Sequence, residues 1–219
     1  MLAASCAVTA LQGAIMLALW TRRRDALWLL WRAVVFVLGG GFLFLFVIDD
    51  PSMRQISIGL GTATFIAATF AVWSSGRVYA GKPVVWSALI AALGIWAGLS
   101  VLTDTLDSLV PAAVIQSLAG VAWIGGGALE HWRAQQAGRG RAHLPVTILY
   151  AVVALFFGVR LALLFVWPFP FGAQPVEVNW IAGFVLGLDV AAILLTVLTL
   201  IAFRATAPAL EGEGPEVLG

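Results

Sequence analysis

The sequence predicts an all-α fold: a polytopic membrane protein, built as a bundle of seven transmembrane helices, with the N-terminus outside and the C-terminus cytoplasmic. Two observations lead to this prediction. Hydrophobic residues make up 62% of the 219-residue chain and charged residues only 11%, with a mean hydropathy of +1.01. A soluble domain has about 25% charged residues, so this chain has too few polar groups to cover a water-facing surface. The apolar residues also form runs long enough to cross a lipid bilayer.

Seven apolar segments follow one another along the chain, separated by short polar breaks. They cover residues 2–20, 26–48, 56–74, 84–102, 109–132, 146–167 and 180–203. Each has roughly 19–24 residues, and a helix of that length spans a hydrocarbon core of about 30 Å. A signal peptide is the alternative for the first segment. It is disfavoured because no positive residue precedes Leu2 and the apolar run is long for such a peptide.

The charges in the breaks set the orientation. Nine Arg and Lys residues lie in the breaks after the first, third and fifth segments or follow the seventh, whereas the opposite breaks contain only Arg54. Positive loops remain in the cytoplasm, so the N-terminus is expected outside. The breaks are too short to hold a soluble domain, and residues 1–204 therefore form one transmembrane domain. Residues 205–219, rich in Gly, Pro and Glu, are expected to form a disordered cytoplasmic tail.

Glycines recur inside the segments at positions suited to close helix packing. Gly94 and Gly98 form a GxxxG motif in the fourth segment, and Gly183 and Gly187 form another in the seventh. Small residues let helix backbones approach closely, which favours helix association in lipid. We interpret these motifs as contacts within the bundle, with a dimer face or a hinge as the alternative.

The residue pattern indicates no catalytic site, no metal site and no cofactor. His131 and His143 lie at or beyond the ends of segments, which argues against a buried bis-histidine haem site. Lys82, the only lysine, lies in a break, so no helix has a lysine for a retinal Schiff base. No Cys/His cluster has metal-ligand spacing, and no nucleophile–base pair or phosphate loop is present. The chain also lacks the basic stripe of a nucleic-acid-binding protein, and we expect no enzyme activity.

Three charged residues lie well inside the apolar segments, whereas Glu130 lies close to the end of the fifth. Arg32 is close enough to the cytoplasmic end of its segment to act as an interfacial anchor. Arg160 and Asp189 lie deeper, about 10 and 15 Å below the outer surface of two adjacent antiparallel segments. We therefore expect Arg160 and Asp189 to contact each other, directly or through one water, in a pocket open to the outer side, as a ligand site or as a structural ion pair. Gln116, in the outer half of the fifth segment, is a third candidate ligand-binding residue.

Several stretches resemble the seven-helix membrane sensor region that precedes the GGDEF domain of bacterial diguanylate cyclases. The break after the third segment, "AVWSSGRVYAGKP", is similar to that family's W-x-x-x-R-x-(aromatic)-x-G-(R/K)-P turn, and "ALEHWRAQQAGRGRAHLP" to its E-x-W-R…LP joint. The matching residues are Trp73, Arg77, Tyr79, Gly81, Lys82, Pro83, Glu130, Trp132, Arg133, Leu144 and Pro145. The resemblance also includes Arg160, which precedes the outer loop "WPFPFG", and Asp189, at a position where the family usually has glutamate.

The resemblance implies a sensory or regulatory input domain of the bacterial inner membrane, which senses a small ligand or the bilayer from the outer side. Its output would pass through the seventh helix and the basic inner loops to a signalling partner or a second copy of the chain. No GGDEF sequence follows residue 204, so cyclase activity is not implied. The alternatives are a small transporter or channel, or an assembly subunit of a larger membrane complex. The Pro-rich outer loop 168–178 is expected to fold back as a lid over Arg160.

Overall fold

The structure, a computed structural model, describes residues 2–46, 54–102, 109–138, 143–166 and 178–205. Within these ranges the chain is helical and has no β-strand, as the composition predicts. The described residues do not include 168–177 of the outer loop or 206–219 of the tail. The predictions of a lid and of a disordered tail therefore remain predictions.

The helices follow the predicted segments closely. They are α1 (Leu2–Arg22), α2 (Leu27–Phe46), α3 (Arg54–Tyr79), α4 (Trp86–Leu102), α5 (Leu109–Ala119), α6 (Gly125–Gln136), α7 (Leu144–Leu163) and α8 (Val178–Ala205). A π-helical turn, Gly120–Ile124, joins α5 and α6 into one continuous rod. In the described ranges, five stretches are long and apolar enough to cross a membrane: those in α1, α3, α7 and α8, and the α5–α6 rod. The apolar stretches described in α2 and α4 are shorter. A multi-pass membrane protein is thus supported, while seven spans and their orientation stay predictions.

The bundle is arranged around α3, which packs against α2, α4, α5 and α6. Helix α1 packs against α2 and α8, and α6 packs against α7. The larger apolar core lies between α1, α2, α3, α7, α8 and the α5–α6 rod, and a smaller one lies between α3, α4 and α5. Trp96 of α4 is almost fully buried in the smaller core, and its indole N–H donates to the Gly59 carbonyl at 2.9 Å. Helix α4 is therefore held mainly by α3.

Close helix contacts occur at glycines other than those of the GxxxG motifs. Where α3 crosses α6, a Cβ on Gly76 would lie 2.9 Å from the Gly127 carbonyl oxygen. In contrast, a Cβ on Gly94, Gly98 or Gly187 would have no described atom within 4 Å. The interpretation of these motifs as contacts within the bundle is therefore wrong for Gly94 and Gly98. Helix α3 packs on the other face of α4.

One end of the bundle contains the described parts of the basic breaks, and we call it the arginine-rich end: loops 23–26 and 80–85, residues 137, 138 and 143, and Arg204. Gly81 closes the loop after α3 with a φ of 74°, a left-handed conformation that glycine adopts without strain. Pro145 lies in the first turn of α7, where its missing N–H leaves no hydrogen bond unmade. These turns place the two segments that resemble the sensor family side by side.

Candidate functional site

A half-open cavity of about 180 Å³ lies between α1, α2, α3, α7, α8 and the π-helical turn. Along α8 it extends from Leu188 to Leu195, which are about 10 Å apart along the helix axis. Its lining is almost wholly apolar, because α2, α3, α7, α8 and the π-helical turn direct Val, Leu, Ile, Phe, Ala or Gly residues towards it, and α1 contributes Thr9. The polar side chains in the lining are Thr9, Thr69, Tyr150 and Asp189.

Asp189 is the charged residue of the cavity wall. Its Oδ2 accepts a hydrogen bond from the Ser5 hydroxyl of α1 at 2.5 Å. Its Oδ1 is buried and has no hydrogen-bond partner among the described residues. A buried carboxylate oxygen without a donor is costly, so this atom is ready to accept a hydrogen bond from a molecule in the cavity.

Tyr150 lines the cavity nearer the arginine-rich end, where it borders a second group of polar side chains. Its hydroxyl lies beside the guanidinium of Arg32, within reach of a hydrogen bond from it. Arg32 is fully buried, donates from Nη1 to the Thr199 hydroxyl of α8, and places its Cζ 4.7 Å from the ring centre of Trp28. Arg32 therefore points into the bundle, and its prediction as an interfacial anchor is wrong.

Two buried histidines belong to the same group. The rings of His131 and His143 are nearly parallel, with an interplanar angle of 10° and centroids 5.8 Å apart. The Tyr79 ring lies 4.9 Å from His131 and 4.2 Å from His143. His143 lies just before the span formed by α7, and its pKa is lowered to about 3, first by burial and then by the positive charge of Arg32. Both histidines are thus at helix ends, as predicted, but they are buried.

Of the candidate ligand residues Arg160, Asp189 and Gln116, only Asp189 lines the cavity. Arg160 is buried on the inward face of α7, and its Nε has no described hydrogen-bond partner. In the described part of the chain, ion pairs join Arg23 to Asp25 and Glu130 to Arg77 and Lys82. Arg160 and Asp189 thus form no direct ion pair, so the prediction of a direct contact is wrong. A contact through one water, the other form of the prediction, stays a prediction.

Gln116 has a partner of its own. Its amide Nε2 donates to the Thr62 hydroxyl of α3 at 3.2 Å, and both side chains are buried. Neither Gln116 nor Arg160 lines the cavity, whereas Asp189 does. The role of all three residues in ligand binding remains a prediction.

The two family-like segments meet at the arginine-rich end through one carboxylate. Glu130 of α6 accepts from Lys82 Nζ at 2.6 Å and from Arg77 Nη1 at 3.5 Å. Arg77 also donates from Nε to the Pro83 carbonyl at 2.8 Å and lies over the Trp73 ring. This joint ties the turn after α3 to α6, and so fixes the position of Tyr79 between the histidines.

Among the described residues, no group of three or more His, Cys, Asp or Glu side chains is placed to bind a metal ion. Comparison of the chain with protein-family models, with curated proteins and with solved structures finds no match.

Proposed function

We propose that this protein is a membrane-embedded sensory or regulatory domain that binds a small, mainly apolar molecule in the cavity between its helices. The observation that supports the proposal is the unpartnered Oδ1 of Asp189 in an otherwise apolar cavity wall. A ligand with an apolar body and a hydrogen-bond-donating head group, such as an amine or a hydroxyl, matches both features. In this proposal the chain crosses the bacterial inner membrane seven times, with its N-terminus outside.

The size of the cavity limits the ligand. A dry apolar cavity of about 150 Å³ is known to hold a benzene molecule. The cavity of about 180 Å³ in this bundle therefore suits a ligand of one aromatic ring with a short polar substituent. Benzylamine is such a probe: its ring fills the apolar part and its ammonium group reaches Asp189.

Helix α8 provides a route from the ligand to the cytoplasmic side. Asp189 and Thr199 are ten residues apart, about 15 Å along a rigid helix, and Thr199 accepts the hydrogen bond from Arg32. A ligand that draws Asp189 towards the cavity changes the position of α8 and with it the end at Arg204. The output then passes to a signalling partner or a second copy of the chain through α8 and the basic loops.

The binding step is tested by thermal unfolding in detergent with benzylamine or toluene. Ala68, which is buried and lines the cavity, is changed to phenylalanine to fill it, and Ala151, exposed on α7, receives the same change as a matched control. We expect benzylamine to raise the Tm of the wild type and of Ala151→Phe but not of Ala68→Phe. Asp189→Asn should lose much of the benzylamine effect and keep that of toluene. Equal shifts in all variants would refute a ligand site in the cavity.

The sensory step is tested with one fluorescent label at the end of α8. Cys6 is the only cysteine, so a Cys6→Ala/Arg204→Cys protein takes a single bimane label. Benzylamine should change the bimane emission in this protein and leave it unchanged when Ala68→Phe is added. Emission that stays constant despite benzylamine binding would refute signalling through α8. Uptake of benzylamine into proteoliposomes, at a rate lowered by Ala68→Phe, would favour the transporter alternative.

A further inference from the structure

Arg32 is a buried charge that has no counter-charge among the residues that the structure describes. Its side chain is fully buried, and the groups around it are Trp28, Thr199 and Tyr150, with Tyr79 and the two histidines beyond them. None of these groups supplies a negative charge at neutral pH. A permanent charge in the interior of a membrane domain is costly unless a partner of opposite sign neutralises it.

The acidic residues described in the structure are engaged elsewhere. Asp25 pairs with Arg23 at the surface, and Glu130 is held by Arg77 and Lys82. Asp189 accepts from Ser5 and lies about 15 Å along α8 from Thr199, the residue that contacts Arg32. Arg23, Arg77 and Lys82 at this end thus have acidic partners, whereas no acidic side chain among the described residues is paired with the buried Arg32.

Several unsatisfied polar atoms lie around this charge, and each neutral imidazole among them supplies one N–H donor. Arg32 Nε and Nη2, both ring nitrogens of His131 and Nδ1 of His143 have no hydrogen-bond partner among the described residues. The Tyr150 hydroxyl lies beside the Arg32 guanidinium and is a further donor. Arg32 and His131 are fully buried, so water outside the bundle does not satisfy these atoms. A guanidinium, imidazole N–H groups and a phenol form a donor set for a negatively charged acceptor, and the Arg32 charge disfavours a metal cation.

We propose that Arg32, His131 and Tyr150 bind a small anion at the arginine-rich end of the bundle. The anion is a singly charged acceptor, either a free ion such as chloride or the carboxylate head group of a molecule whose body lies in the cavity. The second source is sterically reasonable because Tyr150 lines the cavity, and so does Phe36, one helical turn from Arg32. This site goes beyond the proposed function, since it uses no contact with Asp189.

The test is the Tm of the purified protein as sodium gluconate is replaced by sodium chloride at constant ionic strength. A second series adds sodium benzoate, whose ring fits the cavity. Raising the bound anion from about 1 to 100 times its Kd should raise the Tm by about 5–9 °C. Arg32→Met should abolish the rise. It should also unfold no earlier than the wild type in gluconate, since it removes a charge that has no partner there.

Arg77→Met is the matched control, because Arg77 lies at the same end but is paired with Glu130. It should lower the Tm and keep the anion-dependent rise. A rise with chloride identifies a free ion, and a rise with benzoate alone, lost in Ala68→Phe, identifies the head group of a cavity ligand. No Arg32-dependent rise with either anion, or a rise lost in Arg160→Met and kept in Arg32→Met, would overturn the proposal. Because these readouts do not involve benzylamine, their failure leaves the test of the proposed function unaffected.

Discussion

Gly120 in the π-helical turn is the position at which one methyl group should disturb the bundle most. A Cβ at this residue would lie 2.4 and 2.5 Å from Cγ and Cδ2 of the Phe157 ring and 3.0 Å from the Phe157 Cβ. Ordinary carbon–carbon contacts begin near 3.4 Å, so about 1 Å of overlap must be relieved. Rotation of the ring does not relieve the contact with the Phe157 Cβ, which is fixed to the backbone of α7. The α5–α6 rod and α7 must therefore move apart.

Overpacking of this kind costs about 1–3 kcal/mol, and in a protein of this length each kcal/mol lowers the Tm by about 2–4 °C. We therefore expect Gly120→Ala to lower the Tm by about 2–12 °C in detergent, followed by tryptophan fluorescence. Gly94→Ala is the matched control, since a Cβ there meets no described atom within 4 Å, and its Tm should stay close to that of the wild type.

A double variant isolates the contact. Gly120→Ala combined with Phe157→Ala should lose less than the sum of the two single losses, because the ring atoms that clash are gone. Strictly additive losses, or a Gly120→Ala protein as stable as Gly94→Ala, would refute the close approach of the π-helical turn and α7.

Three further predictions concern the arginine-rich end and the topology. Glu130→Gln leaves Arg77 and Lys82 without their carboxylate and should lower the free energy of unfolding, measured by chemical denaturation, by about 1–3 kcal/mol. The control is Asp25→Asn: the Asp25 side chain is 73% exposed, so this change should alter the free energy of unfolding by less than about 0.5 kcal/mol. The pKa of His143 is about 3 in the folded protein and near 6.5 in the unfolded chain, so its contribution to stability is present above pH 6.5 and is lost as the pH falls towards 3. The free energy of unfolding, measured over this pH range, should therefore depend less on pH in His143→Phe than in the wild type. Identical pH profiles for the two proteins would contradict a buried neutral imidazole. Reporter fusions at Gly81 and Gly138 should read as cytoplasmic and one at Ser52 as external, and an external signal at Gly81 would contradict the orientation.

The helices could be predicted from sequence because lipid imposes a simple rule. A backbone in hydrocarbon must satisfy its own hydrogen bonds, and a helix does so within a single run of about 20 apolar residues. The break after α3 was also predictable, since Gly81 and Pro83 end the helix and Arg77 and Lys82 mark a basic loop. The prediction could not show that Glu130, 48 residues after Lys82, neutralises this loop.

The candidate site was harder to predict because helix rotation is not fixed by depth. Arg160 and Asp189 have similar predicted depths, but the rotation of α8 directs Asp189 towards α1 and Ser5. The same uncertainty led to the wrong prediction for Arg32, whose distance from the membrane end allows either an outward or an inward side chain. Spacing gives one usable signal: Trp28, Arg32 and Val35 lie three or four residues apart, so they share one face of α2. Because His131 and His143 are predicted at the same end, this pattern indicates a polar group next to that face of α2.

The claim that the cavity beside Asp189 binds a ligand is tested most directly by ¹⁹F NMR relaxation of 4-fluorobenzylamine with protein in lipid nanodiscs. Partition into lipid contributes equally to every variant, so only the difference between variants reports the cavity. We predict faster ¹⁹F relaxation with the wild type and Ala151→Phe than with Ala68→Phe, and reversal of the excess by unlabelled benzylamine. Equal relaxation with all three proteins, unchanged by unlabelled benzylamine, would contradict a ligand site in the cavity.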